Sequence, residues 1–329
     1  MTKIAINGFG RIGRVLTRVI QQYPDIQLVA INDLADAHTL AHLLKYDSIH
    51  RLFPKEVLCD GNNIIINGKP IRIFKEKDPS LLPWKELEID IVIESTGFFT
   101  DKQNAGKHIL AGAKKVIISA PPKDAEIKSV VMGINDFILD GTEEIISNAS
   151  CTTNCAAPMV KVLDELCSIE SGYIITVHSY TTDQRLQDAP HKDLRRARAA
   201  AESIVPTSTG AAKAITKIFP HLDGKLGGSG IRVPVPDGSL TDVTCMVKNV
   251  KSIEEINNAF KIASENSLKQ ILQYCNDPVV SSDIIGNPYS CIFDTELTSV
   301  IGKMVKVVGW YDNEMGYSSR LADLIIKFS

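Results

Sequence analysis

The 329-residue sequence lacks any run approaching the roughly 20 consecutive apolar residues that a membrane-spanning helix needs. Its opening, "MTKIAINGFG", has no apolar core of the kind found in secretory leaders and breaks at once into glycines. Cysteine is sparse and unpatterned. Seven are scattered at 59, 151, 155, 167, 245, 275 and 291, an odd number at loose spacing, which argues against a disulfide framework. Cys151 and Cys155 lie four residues apart, but no second Cys or His pair at zinc-site spacing appears near them, so no metal is expected. Excess charge is missing too: 36 Lys and Arg against 39 Asp and Glu leave a net −3. With a pI near 6.2 the chain has no general basic field for nucleic acid, and it has no acidic tail. No repeat, low-complexity segment or flexible linker is present. These absences leave a soluble globular protein, long enough for two domains, in a reducing, cytoplasmic setting.

The first half alternates short β-rich runs with helical stretches. "KIAIN" (3–7) and "IQLVAIND" (26–33) read as strands, each followed by apolar residues at helical spacing (11–22 and 36–46). Further strands are predicted at 89–96, 114–119 and 144–150, with a helix opening at Asp101. Asn67-Gly68 between two β-prone runs signals a hairpin. Alternating strands and helices predict a parallel sheet covered on both faces. The second half has longer strands with mixed faces (172–180, 239–250, 301–312). It also has a helix over 252–265 that opens with Ser252 and Glu255 at capping-box spacing. The expected fold is an α/β Rossmann dinucleotide-binding domain over 1–149 plus an α+β catalytic domain over 150–313 with a mostly antiparallel sheet. A terminal helix, 314–329, is expected to pack back on the first domain.

"NGFGRIG" places Gly8, Gly10 and Gly13 in G-x-G-x-x-G spacing between a strand and a helix. The glycines permit a tight turn and close backbone approach, and the helix start offers N–H groups to a pyrophosphate. Asp33 ends the second strand, where a carboxylate accepts from ribose hydroxyls and repels a 2′-phosphate, favouring NAD over NADP. The plain alternative is a tight turn with a capping aspartate.

"SNASCTTNC" (147–155) sets Cys151 among small polar residues at a predicted helix start. A helix N-terminus and a nearby imidazole lower a thiol's pKa from its usual 8.5 or so. Pro158, two turns on, is expected to bend the helix or shift its start. Cys155, one turn along, reads better as a small buried residue than as half of a metal clip. His178 leaves the apolar strand "YIITVH" for a polar loop, and is the candidate base; a surface or core histidine is the alternative. That loop carries Arg185, Arg195, Arg196 and Arg198, which a solvated basic face would also explain. "PTSTGAAKA" (206–214) offers a second helix start able to bind an anion, and Arg232 stands in "IRVPVPD", where the nearby prolines are expected to fix the backbone. A thiolate beside two oxyanion sites suggests a phosphorylated substrate and free phosphate.

"INGFGRIGR", "SNASCTTNC", "PTSTGAAKA" and "WYDNEMGYS" together resemble the phosphorylating glyceraldehyde-3-phosphate dehydrogenase family, over the whole chain. The resemblance implies that Cys151 attacks the aldehyde of glyceraldehyde 3-phosphate as thiolate, with His178 taking and returning the proton. Hydride then leaves the thiohemiacetal for C4 of the nicotinamide of NAD, and inorganic phosphate releases the thioester as 1,3-bisphosphoglycerate. It assigns Arg11 and Ile12 to the pyrophosphate, Asp33 to the adenosine ribose, and Lys77, Ser119 and Asn313 to further cofactor contacts. Lys77 stands where many relatives have arginine. Thr181 and Arg232 would bind the substrate phosphate. Ser150, Thr152, Thr209 and Gly210, with Arg196 close by, would bind the attacking phosphate. Residues 179 to about 204 would line the cofactor site of a neighbouring subunit in a homotetramer. Ala189 departs from the leucine of strict NAD enzymes, while Pro190 and Asp33 keep the NAD pattern. The rivals are erythrose-4-phosphate dehydrogenase on the same frame, and a non-catalytic NAD- or RNA-binding protein.

Overall fold

The computed structural model describes every residue from Met1 to Ser329. The chain divides into two compact units. One is Met1–Val130, Asp136–Ala149 and Ser318–Ser329; the other is Val131–Asn135 and Ser150–Tyr317.

The first unit begins β1 (Thr2–Asn7), α1 (Arg11–Val19), β2 (Ile26–Asn32), α2 (Ala37–Lys45), with Val15, Leu16 and Val19 forming the buried stripe of α1. Strands β3 (Val57–Asp60), β4 (Asn63–Ile66) and β5 (Lys69–Phe74) follow. Asn67 and Gly68 both take positive φ, 47° and 76°, as the tight turn joining β4 to β5 requires. Then come β6 (Ile91–Glu94), the short helices α3 (Lys102–Ala105) and α4 (Lys107–Leu110), β7 (Lys115–Ile118), β8 (Lys128–Ser129) and β9 (Ile145–Ser147). All nine strands form one sheet in the order β3-β4-β5-β2-β1-β6-β7-β9-β8. From β5 to β8 every pairing is parallel; β3 and β4 form an antiparallel edge. Parallel strands end at a common edge. The loops after β1, β2, β5, β6 and β7 therefore emerge together, carrying Gly8–Gly13, Asp33, Lys77, Thr96 and Ser119.

The second unit contains α5 (Cys151–Cys167), β10 (Ile169–Ser179), β11 (Val205–Thr207), α6 (Ala211–Ile218), β12 (Leu226–Val233) and β13 (Ser239–Val247). It continues with α7 (Ile253–Glu265), β14 (Leu272–Cys275), β15 (Cys291–Ile301), β16 (Met304–Tyr311) and the start of α8 (Met315–Phe328), a helix whose later turns belong to the first unit. Ser252 and Glu255 form the expected capping box. The sheet order is β11-β12-β10-β13-β16-β15-β14. β12 pairs parallel with β10 and β14 with β15; the remaining pairs are antiparallel.

Two local features differ from the sequence reading. Pro158 lies inside α5, which still starts at Cys151 and runs on to Cys167. Arg232 sits within β12 rather than in a proline-fixed loop. The three glycines of "LGGSGIRV" disguise that strand, yet they are what lets it pack. A Cβ on Gly227 would lie 2.7 Å from the Tyr173 ring, and one on Gly228 would lie 3.0 Å from Ala212 Cβ.

α5 lies on β16, whose Gly309 leaves room for it: a Cβ there would be 2.5 Å from Cys291 Sγ and 2.9 Å from Met159 Sδ. Gly309→Ala is therefore expected to lose about 1–3 kcal/mol by overpacking. Guanidinium unfolding would measure it, and an unchanged midpoint would show that the helix–sheet gap relaxes freely.

Candidate active site

Strand alternation decides where His178 points. Ile174, Thr176 and His178 share the buried face of β10, the side on which α5 packs. At the start of α5, Ser150 is the N-cap, its hydroxyl accepting from Thr153 N–H at 3.1 Å. The preceding Ala149 takes φ +55°, a left-handed conformation uncommon for alanine, directly before that cap. Cys151 Sγ then lies 3.4 Å from His178 Nε2.

Register brings the next group. β10 and β12 run parallel with His178 opposite Arg232. Arg232 Nη1 lies 2.5 Å from His178 Nδ1 and donates to Ser179 O at 3.0 Å. His178 Nδ1 is itself 2.7 Å from Ser179 O. A guanidinium only donates, so Nδ1 either receives Arg232 or carries a proton for Ser179, not both. Only the second state leaves Nε2 as an acceptor facing the sulfur.

Burial pushes the Cys151 thiol up to about 11, opposed by the Arg232 charge and by hydrogen bonds from Thr152 that favour the anion. Burial, then the Arg232 charge, push His178 down to about 3, against the Ser179 carbonyl. The lowered thiol expected from the sequence is thus outweighed by desolvation for a lone sulfur, although Cys151 keeps some surface in solvent, which tempers the push. A proton crossing from Sγ to Nε2 creates both charges at once, 3.4 Å apart. Their attraction is about 5 kcal/mol at an effective dielectric of ~20. The anion of Cys151 is tied to the cation of His178.

Several neighbours were not legible as site residues. The Tyr311 ring meets His178 edge-on at 5.9 Å, and its hydroxyl links Thr152 (2.9 Å) with Thr176 (2.8 Å). Ser179 and Ser239 hydroxyls both donate to Asn313 Oδ1, at 2.7 and 2.8 Å, which fixes that oxygen as the acceptor of the pair and the amide nitrogen as the donor. Tyr311 stands two positions before Asn313 in "WYDNEMGYS", the one signal that could have found it. Next to Asn313, burial and the charges of Asp312 and Glu314 push Asp237 up to about 9, so it stays protonated at neutral pH.

Of the remaining predicted residues, Arg196 reaches Asp183 and donates to Thr207 Oγ at 3.0 Å, and its charge acts on both His178 and Arg232. Thr181 opens a turn, its carbonyl accepting from Gln184 N–H at 2.9 Å. Thr209 Oγ accepts from Ala211 N–H at 3.2 Å where Gly210 opens α6. Cys155 is fully buried and donates to Gly309 O at 3.6 Å.

In the first unit, Gly8 has φ +93°, and a Cβ there would lie 2.7 Å from Thr96 N; a Cβ on Gly13 would lie 2.6 Å from Gly8 O. Gly10 faces open space, and no side chain caps the first turn of α1, which holds Arg11 and Ile12. Asp33 is fixed to this loop, since Phe9 N–H donates to its carboxylate at 2.8 Å and Ala35 N–H at 3.0 Å. The glycine turn, the uncapped helix start and the anchored carboxylate fit a dinucleotide. The Arg11 guanidinium instead pairs with Asp47 at 2.6 Å; burial would raise that carboxyl, but Arg11 and the N–H groups of His50 and Ile49 hold it at about 2. Lys77 is exposed just past β5, and Ser119 follows β7, its N–H donating to Glu94 O at 2.9 Å.

Comparison with known proteins gives one answer. Residues 2–102 match the family described as glyceraldehyde 3-phosphate dehydrogenase, NAD binding domain, and residues 150–313 match the C-terminal domain of the same family. A glyceraldehyde-3-phosphate dehydrogenase of Geobacillus stearothermophilus is 56% identical over 324 residues, covering 98% of this chain and 96% of the relative. One from Mycobacterium avium is 55% identical over 330 residues, covering 98% and 97%. Glyceraldehyde-3-phosphate dehydrogenase 1 of Bacillus subtilis (strain 168) is 53% identical over 324 residues, covering 98% and 96%.

Iodoacetamide should label Cys151 far faster than the other six thiols. In His178→Asn the labelling inflection should move to higher pH, each unit of rise cutting the anion about tenfold at pH 7. A profile identical to wild type would mean that the imidazole does not control the sulfur.

Proposed function

We propose a function for this chain, which belongs to the glyceraldehyde 3-phosphate dehydrogenase family: it oxidises glyceraldehyde 3-phosphate with NAD and inorganic phosphate to 1,3-bisphosphoglycerate. The observation that carries this reading is the contact of Cys151 Sγ with His178 Nε2 at 3.4 Å. Residues 1–149, with the terminal helix, serve as the NAD-binding domain, and 150–313 as the catalytic domain. Bound NAD supplies the hydride acceptor. Gly8, Gly10 and Gly13, with the main chain of Arg11 and Ile12, hold its pyrophosphate. Asp33 takes the ribose, and Lys77, Ser119 and Asn313 complete the contacts.

The chemistry runs through the sulfur. Cys151 adds to the aldehyde carbon as its proton passes to His178 Nε2, with Nδ1–H held by Ser179 O. His178 returns the proton to the new oxyanion, giving a thiohemiacetal. It takes the hydroxyl proton back as the carbon loses hydride, leaving a thioester on Cys151. Phosphate then attacks the acyl carbon, the C–S bond breaks, and His178 reprotonates the departing sulfur. Arg232 and Thr181 bind the substrate phosphate, and that anion draws the guanidinium off Nδ1, which releases His178 as a base. Ser150, Thr152, Thr209, Gly210 and Arg196 hold the attacking phosphate. Serine in place of Cys151 would be scarcely ionised at neutral pH and would leave a less activated ester. We further place the enzyme in the cytoplasm as a homotetramer, with residues 179 to about 204 lining a neighbour's cofactor site.

A steady-state assay with glyceraldehyde 3-phosphate tests the reading: turnover should require both NAD and phosphate, and Cys151→Ala should abolish it. A rate indifferent to phosphate would favour an erythrose-4-phosphate dehydrogenase instead. Asp33→Gly should raise the NADP-to-NAD ratio of kcat/KM by about tenfold, the loss of roughly 1.4 kcal/mol of discrimination. An unchanged ratio would remove Asp33 from the ribose site.

A further inference from the structure

The first unit contains a chain of buried polar side chains that the reaction itself does not use. Asn7 is the last residue of β1, Asn32 of β2 and Glu94 of β6. These three, with His108 and Trp84, are each no more than 4% exposed. Trp84 Nε1 donates to His108 Nδ1 at 3.0 Å. An indole N–H only donates, so Nδ1 accepts and the proton of this imidazole sits on Nε2. Nε2 then donates to Glu94 Oε2 at 3.1 Å. Asn7 Nδ2 donates to the same oxygen at 2.5 Å, while its 3.4 Å approach to His108 Nε2 joins two donors and is no hydrogen bond. Glu94 Oε1 accepts from both Thr96 N–H (2.9 Å) and Thr96 Oγ (2.5 Å). The chain continues the other way. Asn32 Nδ2 donates to Asn7 Oδ1 at 2.7 Å and to Glu76 O at 2.9 Å, and Asn32 Oδ1 accepts from Glu76 N–H at 2.8 Å.

Two strand-end members stand directly before loops assigned above to the cofactor: Asn7 precedes Gly8 and Asn32 precedes Asp33. Glu76, two residues past β5, precedes Lys77, and Glu94 lies two residues before Thr96, whose N–H is what the Gly8 turn packs against. Four donors converge on one dry carboxylate, which has no cation beside it in this network, and hydrogen bonds to a charged acceptor are the strong ones.

We propose that the buried network Trp84–His108–Glu94–Asn7–Asn32 positions the cofactor loops, with Glu94 as its hub and His108 as a positioning residue that acts through Glu94 rather than on the cofactor. It rests on the reading that those loops bind NAD. The network sets loop spacing, so it controls NAD affinity and leaves the cysteine chemistry of the second unit alone. Glutamine at position 94 puts a donor where only donors arrive. Leucine at 108 removes both hydrogen bonds. Glutamine at 108 carries one acceptor and one donor, and so replaces them.

The test is calorimetric titration of the whole protein with NAD, alongside steady-state kinetics. Glu94→Gln and His108→Leu should raise the Kd for NAD about tenfold, with kcat at saturating NAD within about twofold of wild type. His108→Gln should stay within about threefold of the wild-type Kd. Labelling of Cys151 by iodoacetamide without NAD should be unchanged in all three. A Kd equal to wild type in Glu94→Gln and His108→Leu, with only the melting temperature lowered, would reduce the network to packing and overturn the proposal. So would equal weakening by His108→Gln and His108→Leu. Should the buried variants fail to fold, Thr96→Val at the partly exposed end decides: a rise of about threefold in Kd supports the network and no rise overturns it. Wild-type protein that binds no NAD would sink the functional reading, and this one with it. Tight wild-type binding with unmoved variants would sink this one alone.

Discussion

A buried imidazole with a thiol at one nitrogen and a guanidinium at the other constrains the second unit. His178 can accept a proton from Cys151 only while Nδ1 keeps its own for Ser179 O, and Arg232 contests that same nitrogen. Everything around the ring limits how this contest resolves. Parallel pairing of β10 with β12 fixes the arginine opposite the histidine. The Ser150 cap fixes the first turn that carries the sulfur, and Tyr311 packs edge-on against the imidazole ring. Both lone charges are opposed by burial, so the site holds charge in pairs: thiolate with imidazolium, or guanidinium with a bound anion. An anionic substrate group is then more than a handle, since it competes with Nδ1 for the arginine.

Much of this was legible in the chain wherever one short stretch contains both the signal and its physical cause. The glycine loop sits between a strand and a helix, Asn67-Gly68 turns a hairpin, and Ser252 and Glu255 cap a helix from within four residues. Cys151 stands at a helix start because Ser150 ahead of it is a good cap. Other features depend on partners that sequence spacing does not reveal. β12 is hidden because its glycines are selected by what packs against them, the Tyr173 ring and Ala212, rather than by strand propensity. The upward push on the thiol comes from burial, a tertiary property that outweighs the helix start and the hydroxyls that suggested the opposite. Tyr311 meets Thr152 across 159 positions of sequence, and Asn7 meets Glu94 across 87.

Polar residues at strand ends pose the same difficulty in both units, and each answers it with a different balance of donors and acceptors. In the first, donors outnumber acceptors and converge on Glu94, so the carboxylate is satisfied without a cation and its geometry is rigid. In the second, acceptors accumulate after β12 and β16. Asp237, Asp312 and Glu314 crowd together, and the strain is relieved by keeping one proton on Asp237. Asp312 spends its own oxygens on the N–H groups of Gly286, Glu314 and Met315, which ties the entry of α8 to the loop before β15. The two serines that grip Asn313 complete that arrangement from the neighbouring strands. The Glu94 carboxylate is held by neutral donors from three different side chains and one backbone N–H, so its position is set by hydrogen-bond geometry. A carboxyl crowded by other carboxylates depends on a proton, and raising the pH through about 9 would add a further negative charge beside Asp312 and Glu314. By this logic the first unit fixes its strand ends through converging hydrogen bonds, and the second unit does so through a carboxyl that keeps its proton.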